Sequence, residues 1–377
     1  MPLELTEEQK LIKNIAREFA VTELRPRAQQ IDEDDEFPMD LVYRATELGF
    51  RGAGYPEEYG GNGGGLTEQC LIIEELCKES ALGALIGPSI LATGIISSNN
   101  QALIEKYAIP FIDGKILMAM GWTEPQAGSD ASNIQTRAVK EGDAWILNGN
   151  KSFITGSSWA DAFYISARTK DEQTGEEGIS VFITDKSMPG FQEGAVCHKY
   201  WWRGSGTGEI YLKNCRVPEG SMIGTLNKGL HVTFSMLDQG RLICAVAALG
   251  LAEGALEKAI DYSKQRIQFG KTISQFQAIQ HMLADMKLDI EAAKALIYNA
   301  AALKDAGKRI TMESAYAKLF STEASKRVCD NAIQICGGMG LDKHFGIDRY
   351  YRDARALSIA EGTSQIQRHI ISRELLR

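Results

Sequence analysis

Apolar side chains recur at helical spacing through the first third of the chain: Leu11, Ile15 and Phe19, then Leu41, Val42, Ala45 and Leu48, then Ile72, Ile73 and Leu76. Steps of three and four place each set on one face of a helix, so this stretch reads as an amphipathic helical region. Thr6-Glu-Glu-Gln9 has capping-box form, a hydroxyl at the N-cap and an amide three residues on, which fixes the start of the first helix. Gly60-Gly-Asn-Gly-Gly-Gly65 breaks the pattern. Glycine loses more backbone freedom in a helix than any other residue, so this run predicts a loop between helices.

The period changes near Lys115. Val139 to Ile154 reads as two strands joined at Asn148-Gly149, a dipeptide suited to the positive φ of a tight hairpin turn. Phe163 to Ala167, Ile179 to Thr184 and Glu209 to Leu212 add three short β-rich runs between Gly, Asp and Pro turns. After Pro218 the helical period returns. Leu242 to Ala252 is about half of the ~20 apolar residues a membrane span needs and predicts a buried helix. Phe276, Ile279, Leu283, Met286, Ile290, Ala293, Ile297 and Ala300 alternate three and four without a slip, the stripe of a long helix in a bundle. The expected fold is therefore α+β and multidomain: an N-terminal helical domain over 1–115, a central β-barrel-like domain over 116–225 and a C-terminal four-helix-bundle-like domain over 226–377.

Composition supports a well-filled core, with 44% hydrophobic and 24% charged residues among 377. The 41 basic and 49 acidic side chains give a net charge of −8, without a basic run to track a phosphate backbone, so nucleic acid is not an expected partner. Seven widely spaced cysteines, an odd number with no CxxC pair, predict reduced core thiols, and five scattered histidines predict no protein-ligated metal. The opening MPLELTEEQK has neither the basic flank and apolar core of a secretory signal nor the bias of a transit peptide, which points to a cytoplasmic chain without a membrane span.

Four segments can carry chemistry. Thr123 to Asp130 (TEPQAGSD) is an irregular loop offering hydroxyls and backbone N–H donors. Arg266 to Lys271 (RIQFGK) sets a guanidinium beside a flat phenyl ring, suited to pyrophosphate plus an aromatic system. Gln334 to Gly340 (QICGGMG) lets a ligand approach the backbone, but lacks the spacing and preceding strand of a Rossmann phosphate loop. Glu361-Gly-Thr-Ser-Gln365 holds a carboxylate that serves either as a helix N-terminal charge or, in an apolar surround that raises its pKa, as a general base.

With Tyr55 to Gly61, Gly149 to Thr155, Arg203 to Glu209, Asp238 to Arg241, Phe276 to Gln280 and Tyr351 to Asp353, these segments resemble the acyl-CoA dehydrogenase family. The resemblance runs over essentially the whole chain and is to the architecture of its short- and medium-chain members. It implies an enzyme that binds FAD and removes hydrogens from Cα and Cβ of an acyl-CoA thioester, leaving the trans-2-enoyl thioester. By similarity Glu361 takes the α-proton, the β-hydrogen leaves as hydride to flavin N5, and a ribityl hydroxyl with the Glu361 backbone N–H stabilises the thioester oxygen.

The same resemblance places Trp122, Thr123, Ser129, Phe153 and Thr155 against the flavin, Gln334, Gly337 and Gly338 at its adenosine end, and Thr363 with Gln365 at the pyrophosphate. Arg266, Gln268, Phe269 and Gln277 would serve a neighbouring subunit's FAD in a homotetramer. Ser129, Asp238 and Arg241 would face CoA, with Ala360 and Gly362 beside the acyl group. Some relatives carry their base at the position of Gly240, which has no side chain here and leaves the role to Glu361. Two departures bear on the substrate: Ala360 where tyrosine is common, and Tyr200-Trp201-Trp202 where Leu-Gly is usual. They suggest a bulky, branched, cyclic or aryl-bearing acyl group. An electron-transferring flavoprotein is the implied redox partner; an enoyl-CoA reductase using the same site in reverse, and a non-catalytic flavin- or CoA-binding scaffold, are the alternatives.

Overall fold

The computed structural model describes residues 4–377. Its principal helices are α1 (Glu7–Phe19), α2 (Leu66–Cys77), α3 (Gly229–Gln265), α4 (Gln277–Asp305), α5 (Thr311–Cys336), α6 (Asp348–Leu357) and α7 (Ser364–Leu375). The capping box at Thr6 forms as expected, with Gln9 N donating to Thr6 Oγ1 at 3.1 Å and Thr6 N to Gln9 Oε1 at 3.2 Å. The inward face of α1 is Ile12, Ile15, Ala16 and Phe19, one residue round from the expected stripe, and leaves Leu11 exposed. Helix α3 begins at Gly229, well ahead of the apolar run Leu242 to Ala252 that predicts it.

Helices α2 to α6 share one apolar cluster, with Cys70 and Ile73 from α2, Leu242 to Leu251 from α3, Ile290 and Ile297 from α4, Val328 from α5 and Tyr350 from α6. The small residues of α3 permit this: a Cβ on Gly254 would lie 2.1 Å from the Lys78 carbonyl oxygen, so only glycine allows that approach. Charge also crosses the bundle. Glu74 of α2 is fully buried, accepting from Lys13 at 2.7 Å and Tyr298, with Lys294 at 3.1 Å. Burial pushes its carboxyl up, but Lys294 and Lys13 outweigh that and hold it at about 2. The loop at Gly60–Gly65 is closed by Asp305 at the end of α4, whose carboxylate accepts from Leu66 N at 2.6 Å and Thr67 N at 3.0 Å.

Between the helical regions lies an eight-stranded mixed sheet: β1 (Met118–Gly121), β2 (Arg137–Glu141), β3 (Ala144–Ile154), β4 (Ala162–Lys170), β5 (Glu177–Asp185), β6 (Phe191–Val196), β7 (Gly208–Pro218) and β8 (Met222–Ile223). Its order is β6-β7-β3-β2-β4-β5-β8, with β1 also parallel to β4. Along β4 the side chains alternate: Tyr164 packs on the helical segment holding Ile95 and Tyr107, and Phe163 and Ile165 face the sheet's own core with Trp145 and Leu147.

The hairpin predicted at Asn148-Gly149 turns elsewhere. Glu141 pairs with Ala144, so the tight turn is Gly142-Asp143, and β3 continues through Asn148-Gly149 with a register shift against β7. Gly149 is there because a Cβ would strike Thr136 Oγ1 at 2.3 Å, not because the chain reverses. Six of the seven cysteines are buried and all are free; burial pushes the Cys244 thiol up to about 11, leaving it a packing group. No described helix is long and apolar enough to cross a membrane.

Candidate active site

The chain leaves α6 at Leu357 and re-enters a helix at Ser364, where the Thr363 hydroxyl caps α7 by accepting from Ile366 N at 3.3 Å. Between them Glu361 and Gly362 take successive left-handed conformations, φ 53° and 87°. That backbone is free for glycine and costs about 1–2 kcal/mol for glutamate, so something must hold it. Gln367 Nε2 donates to the carbonyl oxygens of Glu361 at 3.1 Å and Gly362 at 2.9 Å, and Lys318 Nζ donates to Gly362 O at 2.7 Å. Both side chains are fully buried. The Glu361 N–H donates to no described residue.

The Glu361 carboxyl rests over Gly240 of α3. A Cβ at Gly240 would stand 2.8 Å from Glu361 Oε2 and 3.6 Å from Ile90 Cδ1, so the missing side chain is the carboxyl's seat and Ile90 an apolar wall. Glu361 is exposed as a residue, yet its carboxyl is crowded by protein. Desolvation pushes its pKa up, with Arg241 and Lys318 pulling the other way. Asp238, expected to face CoA, is engaged within the protein: one oxygen accepts from Arg241 and the other from Thr311 Oγ1 at 2.6 Å.

Gly240→Ala should separate stability from activity. Alanine at an interior helix position gains roughly 0.5–1 kcal/mol over glycine, so Tm rises, while displacement of the carboxylate slows turnover about tenfold. Thermal melts and steady-state rates on the purified variant check both signs.

Trp122, Thr123 and Phe153 form a second wall. Ser152 N donates to Thr123 O at 2.9 Å, zipping the Trp122–Asp130 loop to β3, and Trp122 Nε1 donates to Ala131 O at 3.1 Å. Trp122 and Ile90 pack on the same apolar cluster. Phe153 has φ 56° and is 65% exposed, an uncovered ring on a left-handed backbone inside a strand. Thr155 Oγ1 lies 3.3 Å from Thr207 Oγ1. The buried Lys151–Glu124 pair, closed at 2.7 Å, ties the loop to β3 a second time.

The remaining expected residues lie apart. Arg266, Gln268 and Phe269 stand exposed on a hairpin of two-residue strands before α4, with Gln277 exposed at its first turn; Phe269 is 93% exposed at φ 51°. Gln334, Gly337 and Gly338 are exposed at the end of α5, and a Cβ on either glycine would meet nothing within 4 Å. Ser129 and Gln365 are exposed as well. Sequence reasoning missed Lys318, Gln367, Ile90 and the Lys151–Glu124 pair. A lysine between Ala317 and Leu319 in a run of small and apolar residues was the one visible signal.

Three family models match in order: acyl-CoA dehydrogenase N-terminal domain over 6–115, middle domain over 119–215 and C-terminal domain over 227–376. The caffeyl-CoA reductase-Etf complex subunit CarC of Acetobacterium woodii is 41% identical, over 99% of this chain and 99% of that protein. The 3-(aryl)acrylate reductase of Clostridium sporogenes is 40% identical over 99% of both. Among solved structures, butyryl-CoA dehydrogenase from Megasphaera elsdenii superposes with a TM-score of 0.95 at 38% identity, covering 100% of both chains.

Proposed function

The chain belongs to the acyl-CoA dehydrogenase family, and from that membership we propose that it interconverts an acyl-CoA thioester and its trans-2-enoyl-CoA with Glu361 as the base at Cα. The observation that carries this reading is the Glu361 turn: a desolvated carboxyl seated over a glycine, beside its own N–H, which has no partner among the described residues. The carboxylate accepts the Cα proton, and the N–H donates to the thioester oxygen as negative charge gathers there.

The residues present fit FAD. The uncovered Phe153 ring, the Thr155 hydroxyl and the Trp122–Thr123 backbone stand on one wall, and the buried Ser152 Oγ has no hydrogen-bond partner among the described residues. When bound, FAD supplies the two-electron acceptor for the β-hydrogen. Thr363, Gln365, Gln334, Gly337 and Gly338 would hold the cofactor's far end, with Ser129 and Arg241 toward CoA. The exposed Arg266, Gln268, Phe269 and Gln277 would reach a neighbour's FAD in a homotetramer. An apolar hollow of about 490 Å³ lined by Leu296, Tyr316, Leu319, Phe320, Glu323 and Arg368 offers such a copy a face to pack on. The relative from A. woodii, named as part of an Etf complex, supports an electron-transferring flavoprotein as partner.

Ala360, exposed beside the base, puts a methyl where a tyrosine ring is usual in the family. We assign the site an aryl-bearing acyl group, a reading supported by the substrates for which the A. woodii and C. sporogenes relatives are named. Those two names also favour a second reading, net reduction of the enoyl thioester. Anaerobic assays in both directions, with straight, branched, cyclic and aromatic CoA esters, should give the highest kcat/KM on an arylpropionyl- or arylacryloyl-CoA. Best turnover on butyryl- or octanoyl-CoA would discard the aryl assignment.

A further inference from the structure

Lys318 is a costly residue for its place. It is fully buried on α5, and its Nζ makes one hydrogen bond among the described residues, to Gly362 O. No described carboxylate lies within salt-bridge distance of it; Glu323, the acidic group of α5 that faces it, is engaged by Lys326 at 2.8 Å and Ser364 at 2.6 Å. A buried ammonium without an ion pair is expensive, and a methionine would fill similar volume without that penalty. The charged and titratable groups facing it are Glu361 from the turn, Arg241 and Cys244 from α3, and Glu323 from its own helix.

The geometry points to Lys318 and Gln367 as positioning residues for the base, a reading that rests on Glu361 being that base. The two side chains deliver three hydrogen bonds to two consecutive carbonyl oxygens, those of Glu361 and Gly362. Together they hold the two peptide planes that follow Glu361, which keeps its carboxyl over Gly240. Lys318 adds a positive charge that favours the ionised carboxylate; Gln367 clamps without charge. The two contributions are therefore separable.

The test uses flavin-loaded protein and an acyl-CoA with sulfur in place of the β-carbon, which can lose an α-proton but has no β-hydrogen to transfer. Exchange of its α-hydrogen in D2O, followed by mass spectrometry across pH, reads the base alone. Lys318→Met should slow exchange about tenfold at neutral pH and move its acid limb upward, as a shift of one pKa unit would. Gln367→Leu should slow exchange several-fold and leave the limb in place. Exchange within twofold of wild type in a folded Lys318→Met protein, or an unmoved limb, overturns the proposal. If Lys318→Met does not fold, Gln367→Leu decides: near-wild-type exchange overturns the clamp. Glu361→Gln is the separate control, since exchange surviving in it sinks the base assignment itself.

Discussion

Glu361→Gln should keep the yellow colour of a flavin-loaded protein and lose turnover by on the order of 10³- to 10⁴-fold, the range a positioned general base supplies. The amide keeps the size of the side chain and can sit over Gly240, but its oxygen cannot take a proton. The loss should therefore fall on kcat, with KM changed little. In the wild type, desolvation raises the Glu361 carboxyl above the ordinary carboxylate range, so activity should climb with pH along an acid limb displaced upward. That limb should vanish in the variant.

Stability should move the opposite way. A carboxyl whose folded pKa is raised binds its proton more tightly in the folded chain, so its contribution is full at low pH and is lost as pH rises through the folded value. At neutral pH the ionised base is a burden on folding, and glutamine should relieve part of it. Anaerobic bleaching of the flavin by substrate, read beside thermal melts, tests both. Bleaching near the wild-type rate would refute the base assignment.

The helical stripes, the change of period near Lys115 and the order of the four chemical segments were legible because each is a local pattern written in consecutive residues. The turn at Gly142-Asp143 was missed because Asn148-Gly149 carries the same dipeptide signal for a different reason, the closeness of Thr136 just before the neighbouring strand β2. That reason belongs to strand pairing and is absent from either strand alone. Gly240 was legible as an empty position, but its use as a seat for a carboxyl 121 residues later needs the fold. Lys318 is similar. Nothing local tells a buried lysine from an exposed one on a helix, and only the packing of α5 against the Glu361 turn makes it an anchor.

Lys151 poses the same problem in the sheet, and its removal should cost the folded protein about 3–5 kcal/mol, the usual penalty for breaking a buried ion pair. Its Nζ is fully buried between Glu124 at 2.7 Å and Ser166 Oγ at 3.0 Å. Glu124 is better supplied. Besides Lys151 it accepts from Thr136 N at 3.1 Å, Gln126 Nε2 at 2.7 Å, Gln135 N and the Thr136 hydroxyl. Burial pushes the Glu124 carboxyl up, but Lys151 and these donors hold it well below its ordinary value. Lys151→Met leaves the carboxylate four hydrogen bonds and should sit at the lower end of the range. Glu124→Leu strands an ammonium and two backbone N–H groups and should sit at the upper end. The pH dependence separates the two mechanisms. In Glu124→Leu the lysine is left to desolvation, so its folded pKa falls further below the unfolded one and the variant regains stability as pH rises toward the unfolded lysine value. Lys151→Met has no such lysine and should show no such recovery. Because this pair ties the Trp122–Asp130 loop to β3 two residues before Phe153, both variants should release flavin before they unfold, which fluorescence of freed flavin during a melt would show. Simultaneous release and unfolding in both would mean that the pair serves the whole sheet and not this wall in particular.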